Sequence, residues 1–584
     1  MGNGPSSCIP LPDLKQDAKV NVQVHVTPNK TKRRSFFSNN NVSCTSVNSY
    51  LNARYGESAR TSNVTATTSS RVVSFEVSCE PKPGKLLPRP SASSGDGDQV
   101  AKMFHAFLQE YPGYQLTSSL DTLRRTDYKR LDETNEVYVD YMGGALYPEK
   151  LLRAHTDFLA KNVFGNTHSV SNSSKLSLQC ADETRTAVLS HFKAPAAEYT
   201  VIFTANASTA IKLVAESYQF SRGSTLVIGE DSHNSVHGIR MFGRRMGATT
   251  VYIPSTPQGG VDHTMAKDTL LKSRPRPPAP CLFTMTGQSN ITNSKTPLSL
   301  IQYASSIGYD TLLDAAALAP TSIFSLEDSV VDAMAISFYK MFGFPTGVGA
   351  LVVKKTFLRK LKRPWFAGGT VDIVQVPGEI VTFAHQLHEQ FEDGTINYLS
   401  LSAITEGLKF LSGYLPILPL RLTPLLQYLW SSLSGLRHDT TGAPVVRIMS
   451  RPPSCKLQRV GEQSDVGFLL ALIFLDPTGK MIPNSFVEYA ASTQNISLRT
   501  GCMCNTGGAA AMLGMTKEMQ QLYHGVSLED FEAKLGHELG VVRLSLGLSS
   551  NFHDIWRVIQ FATSMGKEQS RQRMWSQWVG SRNG

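Results

Sequence analysis

Short apolar runs alternate with longer segments of helical periodicity through the middle of the chain. The runs are short enough for strands, whereas the segments between them repeat apolar positions every three or four residues. Strands that alternate with helices indicate an α/β fold with a mostly parallel sheet. The seven predicted strands cover residues 200–203, 225–228, 250–253, 282–284, 311–313, 333–336 and 350–353. Helices are predicted over residues 149–161 and 175–192.

The pattern differs on the N-terminal side of this region. Residues 1–98 are rich in Ser, Asn, Thr and Pro and lack apolar periodicity, which predicts a disordered extension. From about Gln99 an amphipathic segment that includes Phe104 and Phe107 predicts a helix that docks on the folded body. Residues 99–407 are therefore assigned to this segment and a large α/β domain.

A second, smaller domain is predicted after residue 407, where the alternation of strands and helices ends. Its predicted elements are a helix over 420–436, strands over 445–448 and 468–474, and a closing helix over 553–565. This mixture indicates an α+β domain over residues 408–570 that contains a loop with two cysteines. Residues 571–584 are expected to form a tail.

Composition and charge exclude several classes of protein. The 584 residues carry a formal net charge of +10, but no Lys/Arg block with interleaved aromatic residues marks a nucleic-acid surface. No uninterrupted apolar stretch reaches the length of a membrane span, and no secretory signal precedes the eight cysteines. We expect a soluble cytoplasmic protein with no metal site and no nucleic-acid partner.

The first residues match a lipidation pattern. Residues 1–6, with the sequence MGNGPS, fit the signal for N-myristoylation at Gly2, and Cys8 offers a site for palmitoylation. A pattern this short also occurs by chance in a tail rich in Ser and Gly. Membrane contact is expected only if this end of the chain is acylated.

The chemistry of the chain centres on a lysine at the end of a predicted strand. Lys340 follows the apolar run 333–336 and precedes a glycine-rich turn. We expect the amine in this position to be partly desolvated. Desolvation lowers the pKa of an amine and makes it a nucleophile towards an aldehyde. Asp314 closes the run 311–313, so an acid is also expected at a strand end. Proteins hold pyridoxal phosphate through a lysine that bonds to its aldehyde and an aspartate that pairs with its pyridinium nitrogen.

Two further strand-end loops carry polar residues suited to this cofactor. Ser208 and Thr209 follow the run 200–203 and open a predicted helix, where backbone N–H groups and small hydroxyls bind phosphate. A plain Ser/Thr helix cap is the alternative explanation. His233 lies in the loop after the run 225–228.

A loop in the second domain carries two thiols, Cys502 and Cys504. A C-x-C pair can bind a metal, but no second pair accompanies it. Arg499 precedes the loop, and its charge draws a thiol towards the thiolate, which attacks sulfur.

Taken together, these residues resemble the class V aminotransferase family, and within it the cysteine desulfurase-like domain of eukaryotic molybdenum cofactor sulfurases. The resemblance runs from about Leu120 to about Phe552. Its motifs are Lys129-Arg-Leu-Asp132, Tyr138-Val-Asp140, Phe164-Gly-Asn-Thr-His168-Ser, Leu313-Asp314-Ala-Ala, His388-Glu-Gln-Phe-Glu-Asp-Gly394-Thr395, Gly442-Ala-Pro-Val-Val-Arg447 and Arg499-Thr-Gly-Cys502-Met-Cys504-Asn. It implies a fold type I pyridoxal phosphate transferase, with a mostly parallel seven-stranded sheet in the large domain and a smaller α+β domain.

The resemblance also implies roles for individual residues. Lys340 would hold the cofactor covalently, Asp314 would pair with its pyridinium nitrogen, and His233 would stack on its ring and relay protons. The positions implied at the cofactor phosphate are Ser208, flanked by Thr209, and Ser337, together with Gly394 and Thr395. In this family the last two reach the phosphate held by the partner subunit, which implies a homodimer with shared active sites.

The substrate and the sulfur have implied positions as well. Arg543 resembles the arginine that binds the substrate carboxylate, and Asn166 and His168 resemble residues of an active-site loop. Cys504 falls on the residue that accepts the persulfide, and Cys502 is the extra cysteine typical of molybdenum cofactor sulfurases.

The chain departs from the family pattern in several places. Ala317 replaces a glutamine, three residues after the aspartate, that contacts the phenolic oxygen of the cofactor in desulfurases. Tyr339 stands where bacterial relatives have a histidine, and Ala509 where sulfurases have a third loop cysteine. The sequence ends at Gly584, so we expect it to lack the C-terminal domain with which full-length sulfurases bind the molybdenum cofactor.

The function implied is that of an enzyme that takes sulfur from L-cysteine, forms a persulfide on Cys504 and releases L-alanine. The sulfur acceptor is expected to be a protein or the molybdenum cofactor. Two alternatives stay open at this point: a pyridoxal phosphate-dependent C–S lyase or aminotransferase acting on another amino acid, and a non-catalytic scaffold of the same fold.

Overall fold

A computed structural model describes residues 94–582 of the chain, with side chains from residue 98 onward. The lipidation pattern at Gly2 and residues 1–93 of the predicted extension lie outside the described residues. The helices of the described part are α1 (Ser94–Glu110), α2 (Ser118–Asp127), α3 (Arg130–Glu133), α4 (Glu149–Lys161), α5 (Asn172–His191), α6 (Ala207–Ser217), α7 (Asn234–His237), α8 (Ile239–Arg245), α9 (His263–Lys272), α10 (Ser299–Ser306), α11 (Phe338–Phe342), α12 (Lys355–Leu358), α13 (Leu401–Tyr414), α14 (Leu418–Ser434), α15 (Asn484–Ser492), α16 (Thr506–Leu513), α17 (Thr516–Gln520), α18 (Leu528–Leu535), α19 (Phe552–Gly566) and α20 (Glu568–Arg582).

Within residues 94–582, the strands are shorter than most of the helices and fall into four separate sheets. They are β1 (Val137–Tyr138), β2 (Tyr199–Thr204), β3 (Thr225–Gly229), β4 (Thr249–Ile253), β5 (Leu282–Thr286), β6 (Asp310–Asp314), β7 (Ala333–Ser337), β8 (Gly349–Lys354), β9 (Val371–Val374), β10 (Val381–Phe383), β11 (Val446–Ile448), β12 (Leu469–Phe474), β13 (Ile496–Ser497), β14 (Arg499–Gly501) and β15 (Val541–Ser545).

Seven strands form the largest sheet, in the order β2-β8-β7-β6-β5-β3-β4. Strands β3 to β7 pair in parallel, and β8 is antiparallel to both of its neighbours, β7 and β2. Each of the seven apolar runs found in the sequence lies in one of these strands. The predicted α/β fold with a mostly parallel seven-stranded sheet is therefore confirmed.

Both faces of this sheet are buried, which explains why its strands are continuous apolar runs rather than alternating patterns. Successive side chains point to opposite faces, so Val201 and Ile202 of β2 belong to two different apolar clusters. Ile211 of α6 packs in the cluster of Ile202, and Val188 of α5 packs in the cluster of Val201. Helices thus cover the sheet on both sides.

A second sheet of four antiparallel strands lies in the C-terminal part, in the order β11-β12-β15-β14. Two predicted strands of this part are found as β11 and β12. Strand β1 pairs with β13, and the chain after β1 forms a bridge from Asp140 to Ser545 at the end of β15. The residues that precede the large sheet therefore pack beside the C-terminal sheet.

The division into two domains stays a prediction. The predicted boundary, Gly407, lies inside α13. A Cβ atom at this position would overlap with the ring of Phe342, so the glycine permits close packing of two helices.

The predicted docking helix is found as α1, and it begins at Ser94 rather than near Gln99. Phe107 is buried, and its ring centroid lies 5.0 Å from those of Tyr114 and Phe552. Aromatic rings at such separations attract one another beyond the effect of area burial. The N-terminal segment is thus fixed to the start of α19.

Two elements differ from the sequence-based expectation. The expected tail is helical as far as Arg582, because Met574 and Trp578 of α20 are buried, and the Trp578 ring lies 5.5 Å from that of Phe486. Its apolar residues, Met574, Trp575, Trp578 and Val579, all fall within six positions, a stretch too short to show a helical period in the sequence. The hairpin of β9 and β10 was not predicted either, since residues such as Ile373 are exposed and give no burial pattern. Among residues 94–582 we find no helix with the length and apolar character needed to cross a membrane.

A buried arginine connects the N-terminal segment to the closing helix. Arg124 of α2 bonds Asp554 at 2.6 Å and Asp132 at 2.8 Å, and it donates to the Ser549 carbonyl at 2.7 Å. The Asp554 side chain is 2% exposed, whereas that of Asp132 is 37% exposed. Asp554 also forms a capping box with Asn551 at the start of α19.

Replacing Asp554 by alanine is expected to lower the free energy of unfolding by about 3–5 kcal/mol, because the Arg124 charge stays buried without its main partner. The matched variant Asp132→Ala removes the more exposed partner, and we expect it to lower the same quantity by about 1 kcal/mol. Urea denaturation followed by circular dichroism measures both values. Equal losses in the two variants would contradict the ranking of the two carboxylates.

Candidate active site

Lys340 lies at the point where a fully buried strand of the large sheet ends. All five residues of β7 are buried, and α11 carries Lys340 directly after it. Gly343 follows this helix with a φ of +83°, and a Cβ atom there would overlap with the backbone of Leu146 and Tyr147. Only glycine fits this turn, so the chain leaves the lysine in a fixed direction.

The amine of Lys340 is surrounded by charged groups. Burial lowers the pKa of this amine below its ordinary value, and the Asp314 carboxylate acts in the opposite direction. The guanidinium groups of Arg543 and Arg499 lower the pKa further, whereas Cys504 raises it. These groups therefore lie within electrostatic reach of Lys340. A neutral amine is the form that adds to an aldehyde, so the lowered pKa favours the nucleophile.

A cavity opens beside Lys340 at the carboxyl ends of the strands, where α/β sheets place their ligands. Asp314 ends β6, is buried, and accepts a hydrogen bond from the Ala316 N–H at 3.1 Å. Five of the predicted site residues meet in this cavity. The described residues that line it are Asn206, Ala207, Ser208, Ile211, His233, Ser235, Thr286, Gln288, Asn290, Asp314, Ala316, Ala317, Ser337, Tyr339 and Lys340.

The helix α6 begins at one end of the cavity. Its cap is Asn206, whose Oδ1 accepts from the Thr209 N–H at 3.0 Å, so neither Ser208 nor Thr209 is the capping residue. Ser208 lines the cavity, and its hydroxyl lies 2.6 Å from that of Ser235. Thr209 bonds to the cap and is not among the described lining residues.

Ser337 closes the same end of the cavity from the lysine side. Its hydroxyl accepts a hydrogen bond from the Ala207 N–H at 2.8 Å, which joins the end of β7 to the start of α6. Gly349 makes this approach feasible, because a Cβ atom there would lie 2.6 Å from the Asn206 backbone. Hydroxyls gathered at the N-terminus of an eleven-residue helix form a setting for an anion.

His233 caps the short helix α7. Its Nδ1 accepts from the Ser235 N–H at 3.1 Å and lies 3.0 Å from the Ser235 hydroxyl. Since Nδ1 accepts from a backbone N–H, the proton of the neutral ring is on Nε2. Burial lowers the pKa of His233 below its ordinary value; Asp314 opposes this effect and Lys340 adds to it. The histidine is thus a neutral ring with one defined donor.

The cysteine loop reaches this histidine from the C-terminal part of the chain. The Cys504 carbonyl accepts from the Asn234 N–H at 2.6 Å, directly after His233. Met503 and Cys504 have φ values of +50° and +56°, a left-handed conformation that non-glycine residues rarely adopt. The loop geometry is therefore imposed by its surroundings.

A buried carboxylate supplies those surroundings. Asp231 is 4% exposed and accepts hydrogen bonds from the hydroxyls of Ser289 at 2.6 Å and Thr292 at 2.7 Å, and from the Asn505 amide at 2.7 Å. Asn290 donates to the Met503 carbonyl at 2.8 Å. Loops of the large sheet thus hold the cysteine loop on both sides of Cys504.

The two thiols of the loop differ. Both are free, but Cys504 is exposed, whereas Cys502 is partly buried. Burial raises the pKa of Cys502 to about 11, and Glu532 and Cys504 act in the same direction. Cys502 is therefore a protonated thiol at neutral pH. Among the residues that the structure describes, no group of three His, Cys, Asp or Glu side chains is placed to hold a metal ion.

Arg543, the predicted carboxylate-binding residue, is buried in β15 and forms an ion pair with an acidic side chain of this chain. It bonds Asp140 at 2.5 Å and donates to the Asn290 carbonyl at 2.9 Å. Arg499, which is half exposed, lies 3.5 Å from the same Asp140 carboxylate. Sequence reasoning did not pair these residues, because they are about 360 to 400 positions apart in the chain.

The remaining predicted residues form a second cluster. Asn166 donates to the Thr395 hydroxyl at 3.1 Å, and His168 Nε2 lies 3.3 Å from the Gly394 carbonyl. Gly394 has a φ of +71° and open space where a Cβ atom would lie. None of these four residues is among the described lining of the Lys340 cavity.

Three functional candidates were missed from the sequence. Ser235 joins Ser208 to His233, Asn290 fixes the cysteine loop, and Gln288 lines the cavity. Gln288 and Asn290 lie in the loop after β5. Polar residues that directly follow an apolar run were the sequence feature from which these two could have been identified.

Comparison with known proteins identifies the family. Residues 137–441, more than half of the chain, match the model of the aminotransferase class-V family. The chain belongs to this family.

The curated relatives of this chain include molybdenum cofactor sulfurases. The human molybdenum cofactor sulfurase is 34% identical over 465 residues, which cover 76% of this chain and 51% of that protein. The molybdenum cofactor sulfurase of Arabidopsis thaliana is 30% identical over 498 residues, covering 79% of this chain and 60% of that protein. The chain thus spans between half and three fifths of the length of these curated relatives.

Solved structures show the shared fold. The apo structure of a cysteine desulfurase from Thermococcus onnurineus superposes with a TM-score of 0.60 at 20% identity, over 76% of this chain and 97% of that chain. The arrangement of the large and small sheets is therefore the fold type I arrangement expected from the sequence.

The difference between the loop thiols is expected to appear in their reactivity. At pH 8 iodoacetamide should modify Cys502 about tenfold or more slowly than Cys504, because burial and the raised pKa keep Cys502 protonated. Since thiolate forms only as pH approaches about 11, modification of Cys502 should still accelerate between pH 9 and 10. Peptide mass spectrometry at timed intervals measures both rates, with the exposed Cys455 as reference. Equal rates for Cys502 and Cys504 would contradict this assignment.

Proposed function

We propose that this chain is a pyridoxal 5′-phosphate-dependent sulfurtransferase that takes sulfur from L-cysteine and releases L-alanine. The observation that carries the proposal is the position of one exposed thiol. Cys504 is bonded through its backbone to the start of the helix that His233 caps, and it lies within electrostatic reach of Lys340. A nucleophilic thiol beside a cofactor lysine is what sulfur abstraction requires.

The residues of the cavity fit the cofactor of the family. Asp314 presents a buried carboxylate for a pyridinium nitrogen, and Lys340 an amine with a lowered pKa for the aldehyde. Ser208 and Ser235 bring hydroxyls to the helix N-terminus, where a phosphate is stabilised. In addition, Gln288 has a buried amide without a partner among the described residues. Bound pyridoxal phosphate would supply an electron sink for the substrate carbons.

The residues of the chain have distinct tasks in this proposal. Lys340, whose lowered pKa favours the neutral amine, accepts the proton of the substrate Cα and later returns it. The Cys504 thiolate bonds to the substrate sulfur as the Cβ–S bond breaks. The electron pair of that bond stays on Cβ, which takes up a proton, so the products are L-alanine and a persulfide on Cys504. Arg543 and Arg499 offer cationic groups to the substrate carboxylate.

Replacing Cys504 by alanine is expected to abolish alanine formation from L-cysteine while cofactor binding is retained. The thiol is needed to take the sulfur, but it does not line the cavity. The matched variant Cys502→Ala should keep most of the activity, since this thiol is protonated and partly buried. Purified, cofactor-loaded protein is incubated with L-cysteine and a reductant, and alanine and sulfide are quantified together.

Alanine and sulfide in equal amounts would support sulfur abstraction. Pyruvate with sulfide, independent of Cys504, would identify a C–S lyase instead. An intact cofactor absorbance without any product would point to a different amino acid.

We also infer a homodimer with shared active sites. Gly394 and Thr395 lie outside the Lys340 cavity of their own chain and beside an exposed apolar surface. On this surface Trp365 and Phe366 are 55% and 40% exposed, and they line a recess with Gly394. Exposed aromatic residues of this kind are typical of an interface. In a symmetric dimer each Thr395 would serve the phosphate site of the partner subunit.

A mixing experiment tests the shared site. Lys340→Ala and Thr395→Glu are each expected to be inactive, the second because a carboxylate repels the cofactor phosphate. After joint unfolding and refolding, random pairing should restore activity in about a quarter of the sites, because each mixed dimer contains one site without either change. The refolded mixture is loaded with cofactor to establish the occupancy of the sites. Sedimentation velocity measures the dimer content. Mixed dimers without any recovered activity would argue that each site belongs to one subunit.

The proposal also covers the sulfur acceptor and the cellular location of the protein. Cys504 is exposed, so a protein or the molybdenum cofactor is proposed to receive the sulfur there. The protein is proposed to act in the cytoplasm, and acylation at Gly2 stays a prediction for residues outside the described part.

A further inference from the structure

One side chain of the cavity has polar atoms that the described residues leave without a partner. Gln288, in the loop after β5, is 1% exposed, and neither its amide nitrogen nor its amide oxygen has a hydrogen-bond partner among the described residues. It is the one described lining residue with this property. A buried amide without partners is unfavourable, so such a group indicates a ligand that completes it.

The backbone on both sides of Gln288 is fixed by hydrogen bonds. The Gly287 N–H donates to the Asp314 carbonyl at 2.9 Å, and the Ser289 N–H donates to the Ser294 carbonyl at 2.8 Å. The amide lies against Gly467, where a Cβ atom would overlap with the Gln288 side chain. The glutamine is thus held in place on both sides.

Gln288 also lies near the position where the family pattern places its own glutamine. That position is Ala317, which packs with Leu469 at the start of β12. Gly467, which touches the Gln288 amide, is two residues before Leu469. The two positions therefore adjoin the same short segment of the C-terminal part.

The covalent structure of pyridoxal phosphate fixes where its phenolic oxygen must lie. The phenolic oxygen and the phosphate arm are attached on opposite sides of the aldehyde carbon. With the phosphate at the Ser208 end and the aldehyde at Lys340, the phenolic oxygen would face away from α6. Two other polar side chains of the cavity are already bonded. Asn290 contacts the cysteine loop, and Thr286 donates to the Ser232 hydroxyl at 2.9 Å.

We propose that the Gln288 amide donates a hydrogen bond to the phenolic oxygen of the cofactor, the contact that Ala317 cannot make. This inference rests on the proposed function, since it requires pyridoxal phosphate at Lys340. The hydrogen bond stabilises the negative charge on the phenolic oxygen. That charge otherwise holds the proton on the adjacent Lys340 nitrogen more tightly.

The test compares the Gln288→Met variant with the unaltered protein. Methionine has nearly the same length and volume but no amide, so the packing is retained. The matched control is Gln302→Met, which changes an exposed glutamine of α10 whose amide bonds the Asp328 carbonyl. Circular dichroism verifies the fold of each variant. Equilibrium dialysis measures the dissociation constant of pyridoxal phosphate, and the visible absorbance of the loaded protein is titrated with pH.

Loss of the Gln288 amide is expected to weaken cofactor binding about tenfold. It should also move the midpoint of the absorbance transition upward by about one pH unit. Gly467→Ala should shift the midpoint in the same direction, because the added methyl group displaces the amide. This second variant keeps the test valid if Gln288→Met fails to fold. The control should change neither quantity.

An unchanged midpoint and dissociation constant in Gln288→Met would overturn the proposal. An unchanged midpoint with a raised KM for L-cysteine would overturn it too and would assign the amide to the substrate. Because both readouts are measured without turnover, they separate this inference from the proposed function. Unaltered protein that binds no cofactor would refute the function itself.

Discussion

The candidate site depends on one buried carboxylate, Asp231. Its oxygens receive hydrogen bonds from a side chain of the cysteine loop and from two loops that follow strands of the large sheet. Each of these groups is buried, and a carboxylate deprived of such donors would be strongly destabilising. The network therefore joins residues from both parts of the chain into one wall. Together with the bonds that Asn234 and Asn290 make to the cysteine loop, it fixes this loop beside His233.

The rest of the site follows from the order of the sheet. Strands β6 and β7 are parallel neighbours, so Asp314 and Lys340 emerge at the same edge. The antiparallel β8 returns the chain beside β2, which brings Ser337 to the start of α6. Acid, amine and anion-binding hydroxyls are thus placed by strand pairing alone. The cysteine loop and Arg543 come from the other sheet and depend on side-chain contacts between the two.

Much of this fold could be predicted because burial on both sheet faces leaves continuous apolar runs. Lys340 and Asp314 could be predicted as site residues because each lies at the end of an apolar run, and the ends of parallel strands lie at the same edge of a sheet. Other features could not be predicted, because they arise from contacts between distant residues. The pair of Arg543 with Asp140 has no local pattern, and the exposed β9–β10 hairpin has no apolar face to reveal it. Gln288 was overlooked for a similar reason: only its burial without partners distinguishes it from any loop glutamine.

The left-handed backbone at Met503 and Cys504 has a consequence for sulfur delivery. Two adjacent non-glycine residues stay in this conformation only while hydrogen bonds on both sides hold them. In the proposed sulfur transfer, a loop held in this way would keep the Cys504 thiol in one place, so the thiol would not move outward with the bound sulfur. A sulfur acceptor would then have to bring its own receiving atom to Cys504. Recognition of the recipient would then be a matter of shape around Cys504.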